Sequence, residues 1–437
     1  MSKQNFGLVS NAKEQLVKRF LARRDSQPEA AANSLRSTPK FAQVSEKFCR
    51  FYKFSGYEKI ALPQAAARKL GIENPFFKVH EGVADAMTSI GGKPYINFSS
   101  YNYLGLSGDP RVNQAAKDAI DRYGTSASAS RLVAGERPIQ RELEETIAGL
   151  YEVDDCVVFV SGHATNVTTI ATLFGPKDLI VHDSLIHNSV FEGIKLSGAT
   201  RRAFNHNNPE SLERILTEIR GNFERTLIVI EGLYSMDGDF APLAALAQVA
   251  ARHDALMLVD ESQATGVFGP GGRGLVGNLA NRDQIITLHT CGKALGAEGA
   301  LLCGPAVMRD YLVNRARGFV FSTAPSPLMA AVVRAALRLC ADGDDLRAQL
   351  AAKVARAGQW LAPLGAQGLG APIMPLVLGG DVRTMQVAAR VQAAGFDVRG
   401  IRPPTVPEGT SRLRIVISRN VAEADIAGLA AALKEAL

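Results

Sequence analysis

The stretch ALMLVDES, residues 255–262, runs without a polar break from Ala255 to Val259 and then ends on a carboxylate, Asp260. An apolar run of this length suits a strand buried on both faces, as in a parallel sheet. Four runs of the same kind lie around it: CVVFVSG at 156–162, LIVHDS at 179–184, TLIVIEG at 226–232 and QIITLHT at 284–290. Amphipathic segments such as RELEETIAGLY and PLAALAQVAARH fall between them. Strand and helix in alternation predict an α/β fold, with a mostly parallel central sheet and helices on both faces.

Outward from this region the pattern changes on both sides. Residues 1–94 read as an N-terminal helical extension and arm: 25 mixed charged and apolar residues, a linker-like SQPEAAANSLRSTP, and a second helical segment around FAQVSEKFCRFYKF. A strand signal, YINFSS, opens at Tyr95, so 95–325 is expected to form the large domain. Residues 326–437 read as a smaller α/β domain, with a long Ala/Arg helix, PIMPLVLGG, a helix, RLRIVIS and a terminal helix.

Composition narrows the function classes. Hydrophobic residues make up 46% and charged residues 21%, which is ordinary globular usage. The net charge of +6 over 437 residues is mild, and it does not point to nucleic acid. The cysteines, Cys49, Cys156, Cys291, Cys303 and Cys340, are odd in number and show no CxxC spacing. That speaks against a disulfide framework and a zinc site, and a reducing cytoplasm fits best. No secretory signal is read at the N-terminus. The most apolar stretch, PLMAAVVRAAL, is cut by Arg334 and too short to span a bilayer.

In sheets of this kind ligands sit at the carboxyl ends of the strands. That edge gathers His163, Asp183, Glu231, Asp260 and the segment after Thr290. A carboxylate at the end of a buried strand needs a partner. For Asp260, a protonated pyridine nitrogen and a turn-capping role are both open. Lys293, in LHTCGKALGAEGA, is flanked by glycine and small residues. It is either a desolvated Schiff-base lysine or an ordinary surface one. Ser161-Gly162-His163-Ala164-Thr165-Asn166 closes a strand and opens a helix, which suits an anion cradle. Thr290 and the FSTAPSP segment, with Thr323, offer hydroxyls. His187, in HDSLIHNSVFEG, can stack on an aromatic ring or simply cap a helix.

FSSYNYLGLSGDP, SGHATN, DSLIHNSVFEGIKLSGA, EGLYSMDGDFAPL, VDESQATGVFGPGGRG, TCGKALG, FSTAPSP and IRPPTVPEGTSRLRI occur in this order from about residue 95 to the end. In these strings the chain resembles the α-oxoamine synthases, a branch of the fold-type I pyridoxal phosphate enzymes. The resemblance implies pyridoxal 5'-phosphate as cofactor and a decarboxylative condensation of a small amino acid with an acyl thioester, giving an α-amino ketone. Lys293 would hold the cofactor as a Schiff base and later shuttle the α-proton. Asp260 would hold the ring nitrogen, and His187 would stack on the ring. Gly162 and His163 would lie by the phosphate with Thr290, and Thr323 would reach it across a dimer interface. Glu231 and Ser235 would line the pocket, with Ser235 and Gln263 near the phenolic oxygen. Arg414 would grip the substrate carboxylate with Arg402 as a mobile second cation. Asn102 would approach from the neighbouring subunit, so the resemblance implies a homodimer with composite sites.

Gln263 departs from the family pattern, where histidine is usual. Glutamine donates a hydrogen bond but does not titrate near neutral pH, so binding is expected to survive while a chemical step changes. His163 also departs, standing where an aromatic residue is common. The acyl donor is either a coenzyme A thioester or an acyl carrier protein. The first ~90 residues, mostly outside the resemblance, are a place where a carrier could dock. An aminotransferase or lyase of the same fold type is the alternative activity.

Overall fold

The computed structural model describes residues 44–69, 74, 76–279 and 282–437. The chain divides into two compact units, Met1–Lys78 and Val79–Leu437. The helical spacing of the first 25 residues and the linker after them lie outside the described residues.

In the first unit, 3₁₀ turns at Glu46–Phe48 and Phe51–Lys53 precede helix α1, Ser55–Lys69. The helix expected around FAQVSEKFCRFYKF takes the form of these two turns, separated by an extended Arg50 (φ −131°, ψ 116°). Residues 44–60 are all exposed, so no packing supports a longer helix there.

The second unit begins with strands β1 (His80–Glu81), β2 (Met87–Ile90) and β3 (Lys93–Asn97) and helices α2 (Pro110–Tyr123) and α3 (Pro138–Tyr151). Its centre follows as β4 (Asp155–Phe159), α4 (Gly162–Leu173), β5 (Leu179–Asp183), α5 (Asn188–Ser197), β6 (Thr200–Phe204), α6 (Pro209–Ile219), β7 (Thr226–Glu231), α7 (Leu243–Arg252), β8 (Leu256–Asp260), β9 (Ile285–Thr290) and β10 (Ala300–Gly304). These strands form one seven-stranded sheet in the order β4-β10-β9-β8-β7-β5-β6. Only β10 runs against its neighbours. Each of the five runs read as a strand is one, and the mostly parallel α/β arrangement is the one expected.

Side chains alternate across this sheet with period two. Ile180, Leu227, Val229 and Leu258 pack with Ile170, Val190 and Ile194 of α4 and α5. Val181, Ile228, Ile230, Met257 and Val259 pack with Leu212, Leu216, Leu246 and Val249 of α6 and α7. Both faces are buried, which is why the strands read as unbroken apolar runs.

The remainder comprises α8 (Ala306–Arg315), α9 (Arg317–Val320), α10 (Pro327–Ala341), α11 (Asp344–Leu361), β11 (Ile373–Gly379), α12 (Asp381–Ala393), β12 (Phe396–Asp397), β13 (Arg399–Ile401), β14 (Ser411–Val416) and α13 (Glu423–Ala436). β11, β14 and β13 make an antiparallel sheet. β12 instead pairs in parallel with β3, Phe396 opposite Ile96. Phe98, Leu143, Leu337, Val354, Leu413 and Leu429 share one buried cluster. Residues read as the large domain and the small domain thus share a core, with Ala86 of the arm packed against it, and contacts group 79–437 together, with the division at Lys78/Val79.

Candidate active site

Three adjacent strands, β5, β7 and β8, each end on a carboxylate: Asp183, Glu231 and Asp260. Glu231 and Asp260 are register partners. Parallel neighbours lie about 4.8 Å apart, so two carboxyls at such a step do not both ionise easily. Burial, then the nearby Asp260, pushes Glu231 up to about 8. Both causes favour the neutral carboxyl of Glu231. Its Oε2 accepts the Ser235 N–H at 3.3 Å.

Asp260 is 7% exposed. Its Oδ1 accepts the Ser262 N–H at 3.0 Å and its Oδ2 accepts Nδ2–H of Asn166 at 3.1 Å. The turn-capping role is therefore real, yet the carboxylate also lines a cavity of about 530 Å³. Among the described residues it has neutral hydrogen-bond donors and no ion pair.

Asn166 also donates to Ser189 Oγ at 3.0 Å, and Ser189 Oγ lies 2.8 Å from His187 Nδ1. His187 caps α5, its Nδ1 accepting the Ser189 N–H at 3.3 Å. The ring proton is thus on Nε2. Burial holds the imidazole below its usual range, so it is neutral. Capping and cavity lining are again done by one side chain. A hydrogen-bonded chain runs from Asp260 through Asn166 and Ser189 to His187. Ser189 is not among the residues expected from sequence, and Asn166 stands there only as the last residue of the cradle string SGHATN. Asn166 lies three residues after His163, on the same helix face, and that spacing was the available signal.

Lys293 follows the end of β9, with Nζ 3.3 Å from Thr290 Oγ1. Burial holds its ammonium below the usual lysine range, against the pull of Asp260 and Glu231. It lines the same cavity as Asp260, so the two residues do converge.

Helix α4 opens at Gly162, behind Ser161, whose Oγ accepts the Ala164 N–H at 3.2 Å. A Cβ at Gly162 would fall 2.1 Å from Thr290 Cγ2, so only glycine lets the helix start against the end of β9. Gly162, His163 and Thr290 all line the cavity, as do Ser235 and Gln263. The His163 and His187 rings meet edge to face at 6.4 Å.

Gln263 is held from behind. The hydroxyl of Tyr103, a fully buried residue, donates to Gln263 Oε1 at 2.6 Å. Burial pushes the phenol up to about 12, so it remains a donor. With Oε1 taken, the glutamine presents its NH₂ as the cavity-facing donor.

Arg414, on β14, donates from Nε to Ser235 O at 2.6 Å, and its guanidinium lies over the Tyr101 ring at 4.8 Å. The residue is buried, and Nη2 has no hydrogen-bond partner among the described residues. Its positive charge helps to hold down the Lys293 ammonium.

Other expected residues fall elsewhere. Asp183 accepts from Leu185 N, His206 Nδ1 and Asn207 N, each at 2.8 Å, and does not line the cavity. Its placement at the ligand edge by topology is corrected: the turn after β5 folds back and consumes the carboxylate. Asn102 lines a neighbouring cavity of about 410 Å³ that shares Tyr101, Gly292, Lys293 and Ala297 with the first. Its amide is engaged internally, with Ala84 O at 2.8 Å and with Ser107 N at 3.1 Å. Tyr101, not Asn102, reaches both cavities. Thr323 and Arg402 are exposed and, like the buried Arg414, outside the lining of either.

These features fit pyridoxal phosphate. A buried carboxylate lacks a cation, a desolvated lysine stands beside it, and a glycine-opened helix end with a hydroxyl suits a phosphate.

The chain is similar to known proteins over most of its length. The model of the family Aminotransferase class I and II matches residues 93–433. An 8-amino-7-oxononanoate synthase from Anaeromyxobacter sp. (strain K) is 41% identical over 354 residues, 80% of this chain and 88% of that protein. A serine palmitoyltransferase from Sphingomonas wittichii matches with a TM-score of 0.83 and 27% identity, over 87% of this chain and 97% of that one. A serine palmitoyltransferase solved with its pyridoxal phosphate internal aldimine matches to the same extent, with a TM-score of 0.83 and 27% identity over 87% of this chain and 97% of its own. The chain belongs to the aminotransferase class I and II family and, within it, to the α-oxoamine synthases, fold-type I pyridoxal phosphate enzymes that condense an amino acid with an acyl thioester and release carbon dioxide.

Proposed function

We propose that this chain joins a small amino acid, such as glycine, alanine or serine, to an acyl group carried by coenzyme A or a carrier protein, and releases an α-amino ketone. The observation that carries this reading is the shared cavity of Lys293, Asp260 and Glu231, backed by a buried Arg414 with a nitrogen to spare.

Arg414 would take the amino acid's carboxylate, since a guanidinium fork suits it better than an ammonium. Lys293 would hold the cofactor through its amine and then move the proton at the substrate's Cα. Asp260 would keep a proton on the ring nitrogen, while burial favours the neutral form of Glu231 beside it. Neutral His187 would pack against the ring. Gly162, His163 and Thr290 would take the phosphate. Gln263, oriented by Tyr103, would donate to the phenolic oxygen beside Ser235. When bound, pyridoxal phosphate draws electrons away from Cα through its protonated ring.

Asn102 and Thr323 would act across a homodimer interface, with Arg402 closing on the substrate. Cytoplasmic residence is part of the proposal, supported by five free cysteines. Among the described residues no helix is long and apolar enough to cross a membrane.

A mass-spectrometric screen of small amino acids against acyl thioesters tests the reading. The expected result is carbon dioxide, free thiol and an amino ketone. Formation of a keto acid without thiol release would identify an aminotransferase and overturn it.

A further inference from the structure

The chain's net positive charge lies at one end. Residues 1–78 carry 15 Lys and Arg against six Asp and Glu, a net +9. Residues 79–437 carry 34 against 37, a net −3. The mild overall charge therefore conceals a strongly basic first unit and a catalytic unit that is slightly acidic.

In the described part of the first unit, this charge is interleaved with exposed aromatic rings. Phe51 is 84% exposed, and Phe48, Tyr52 and Tyr57 are also exposed. Lys47 sits 4.8 Å from the Phe48 ring and Lys53 5.9 Å from the Tyr52 ring. Phe51 and Phe54 meet edge to face at 5.3 Å. One of the two acidic residues here, Glu46, is already paired with Lys53. Lys47, Phe48, Lys53, Phe54 and Tyr57 border a groove of about 890 Å³. Exposed aromatics with cations among them mark protein interfaces, and the rings here are held by contacts within the unit.

We infer that this face of the first unit docks an acidic protein that presents the acyl group as a thioester. The inference rests on the thioester reading above and names the carrier. Charge complementarity favours it: a carrier rich in carboxylates would be steered to the unit that carries the chain's net positive charge. A second copy is disfavoured, because two +9 units repel. A lipid surface fits less well, since insertion needs an apolar face segregated from charge. On α1, at 100° per residue, exposed Leu62 falls between Glu58 and Lys59.

The test compares one acyl group on two carriers, using the full-length holoenzyme. Octanoyl thioesters of a purified acidic acyl carrier protein and of coenzyme A are supplied with the same amino acid. The variants are the triple charge reversal K47E/R50E/K59E and its neutral counterpart K47Q/R50Q/K59Q, which guards against misfolding. Binding of the charged carrier protein is also measured at about 20 and 200 mM salt. We expect the reversal to raise KM for the carrier protein by about tenfold or more, with kcat and the coenzyme A kinetics unchanged. The neutral variant should fall between, and salt should weaken the wild type in the same direction. No binding of the carrier protein at low salt, or equal losses with both donors, would overturn the inference. So would loss of binding to phosphatidylglycerol vesicles without any change for the carrier protein. If neither thioester releases thiol and carbon dioxide while the carrier protein still binds through this face, the thioester chemistry fails and the docking surface stands.

Discussion

Two groups of buried acids stand at the same edge of the same sheet and are completed in opposite ways. Around Asp183, protein atoms meet the need. His206 bridges Asp183 and Asp239, 2.8 Å from each, and Asn207 donates to both. Two strands away, Asp260 receives only neutral donors, Glu231 is pushed towards its neutral acid, Lys293 is pushed towards its neutral amine, and Arg414 leaves Nη2 idle. The first group spends its polarity on holding the fold. The second holds polarity in reserve for something that must be bound. A carboxylate at a strand end is therefore not a site by virtue of its position; its unmet need is what distinguishes it.

The contrast can be broken most severely at its reactive end. Lys293→Ala should lower kcat by about 10⁴-fold or more, since one group serves as both nucleophile and proton carrier. The holoenzyme's visible absorbance should vanish with it, and a retained band would argue that another amine holds the cofactor. Next, removing the charge of each acid should act in opposite senses. Asp183→Ala should cost about 3–5 kcal/mol in denaturant unfolding, because it strands the His206 charge. Turnover of the molecules that remain folded should be preserved. Asp260→Asn should leave the stability of the cofactor-free protein unchanged or raised while lowering kcat by about 10²–10³-fold. Equal destabilisation by both would erase the distinction.

A smaller effect separates the clusters by pH. Burial would lower His206, but Asp183 and Asp239 outweigh it and push the imidazole up to about 10. Its contribution to stability is fully present below the unfolded value near 6.5 and is lost as pH rises through about 10. Melts between pH 6 and 10.5 should show a decline in that window that His206→Gln flattens, by about 1–3 kcal/mol at pH 7. The subtlest change lies behind the cavity. Tyr103→Phe releases the Gln263 amide to turn over, and Gln263→His introduces a titrating group. Each should shift the pH dependence of the holoenzyme's absorbance, with single-turnover rates changing by about tenfold or less, roughly one hydrogen bond's worth. Identical spectra across pH in all three proteins would remove Tyr103 from the site.

Local pattern carried much of this into view. Five strands, their shared edge, and the lysine and aspartate that converge there are legible from apolar runs and the small residues that follow them. Two strands of the seven-stranded sheet are not legible in this way. β6, TRRAF, is an edge strand whose exposed Arg201 and Arg202 break the apolar run. β10, ALLCG, runs against its neighbours and follows a glycine-rich loop. The fate of Asp183 depended on a backbone turn at Asn207, and the setting of Gln263 on Tyr103, 160 residues away. The grip of Arg414 on the Ser235 carbonyl spans 179 residues. Contacts across such distances leave no periodicity for a sequence to display.

The idle nitrogen of Arg414 has a practical consequence. A buried donor without an acceptor costs about 1–3 kcal/mol, and a fitting carboxylate returns that energy to the folded state. The protein should therefore report its own substrate as a rise in melting temperature, before any turnover is measured. A thermal-shift panel of free amino acids, run beside their carboxamides, would pick out the acid that quiets this arginine.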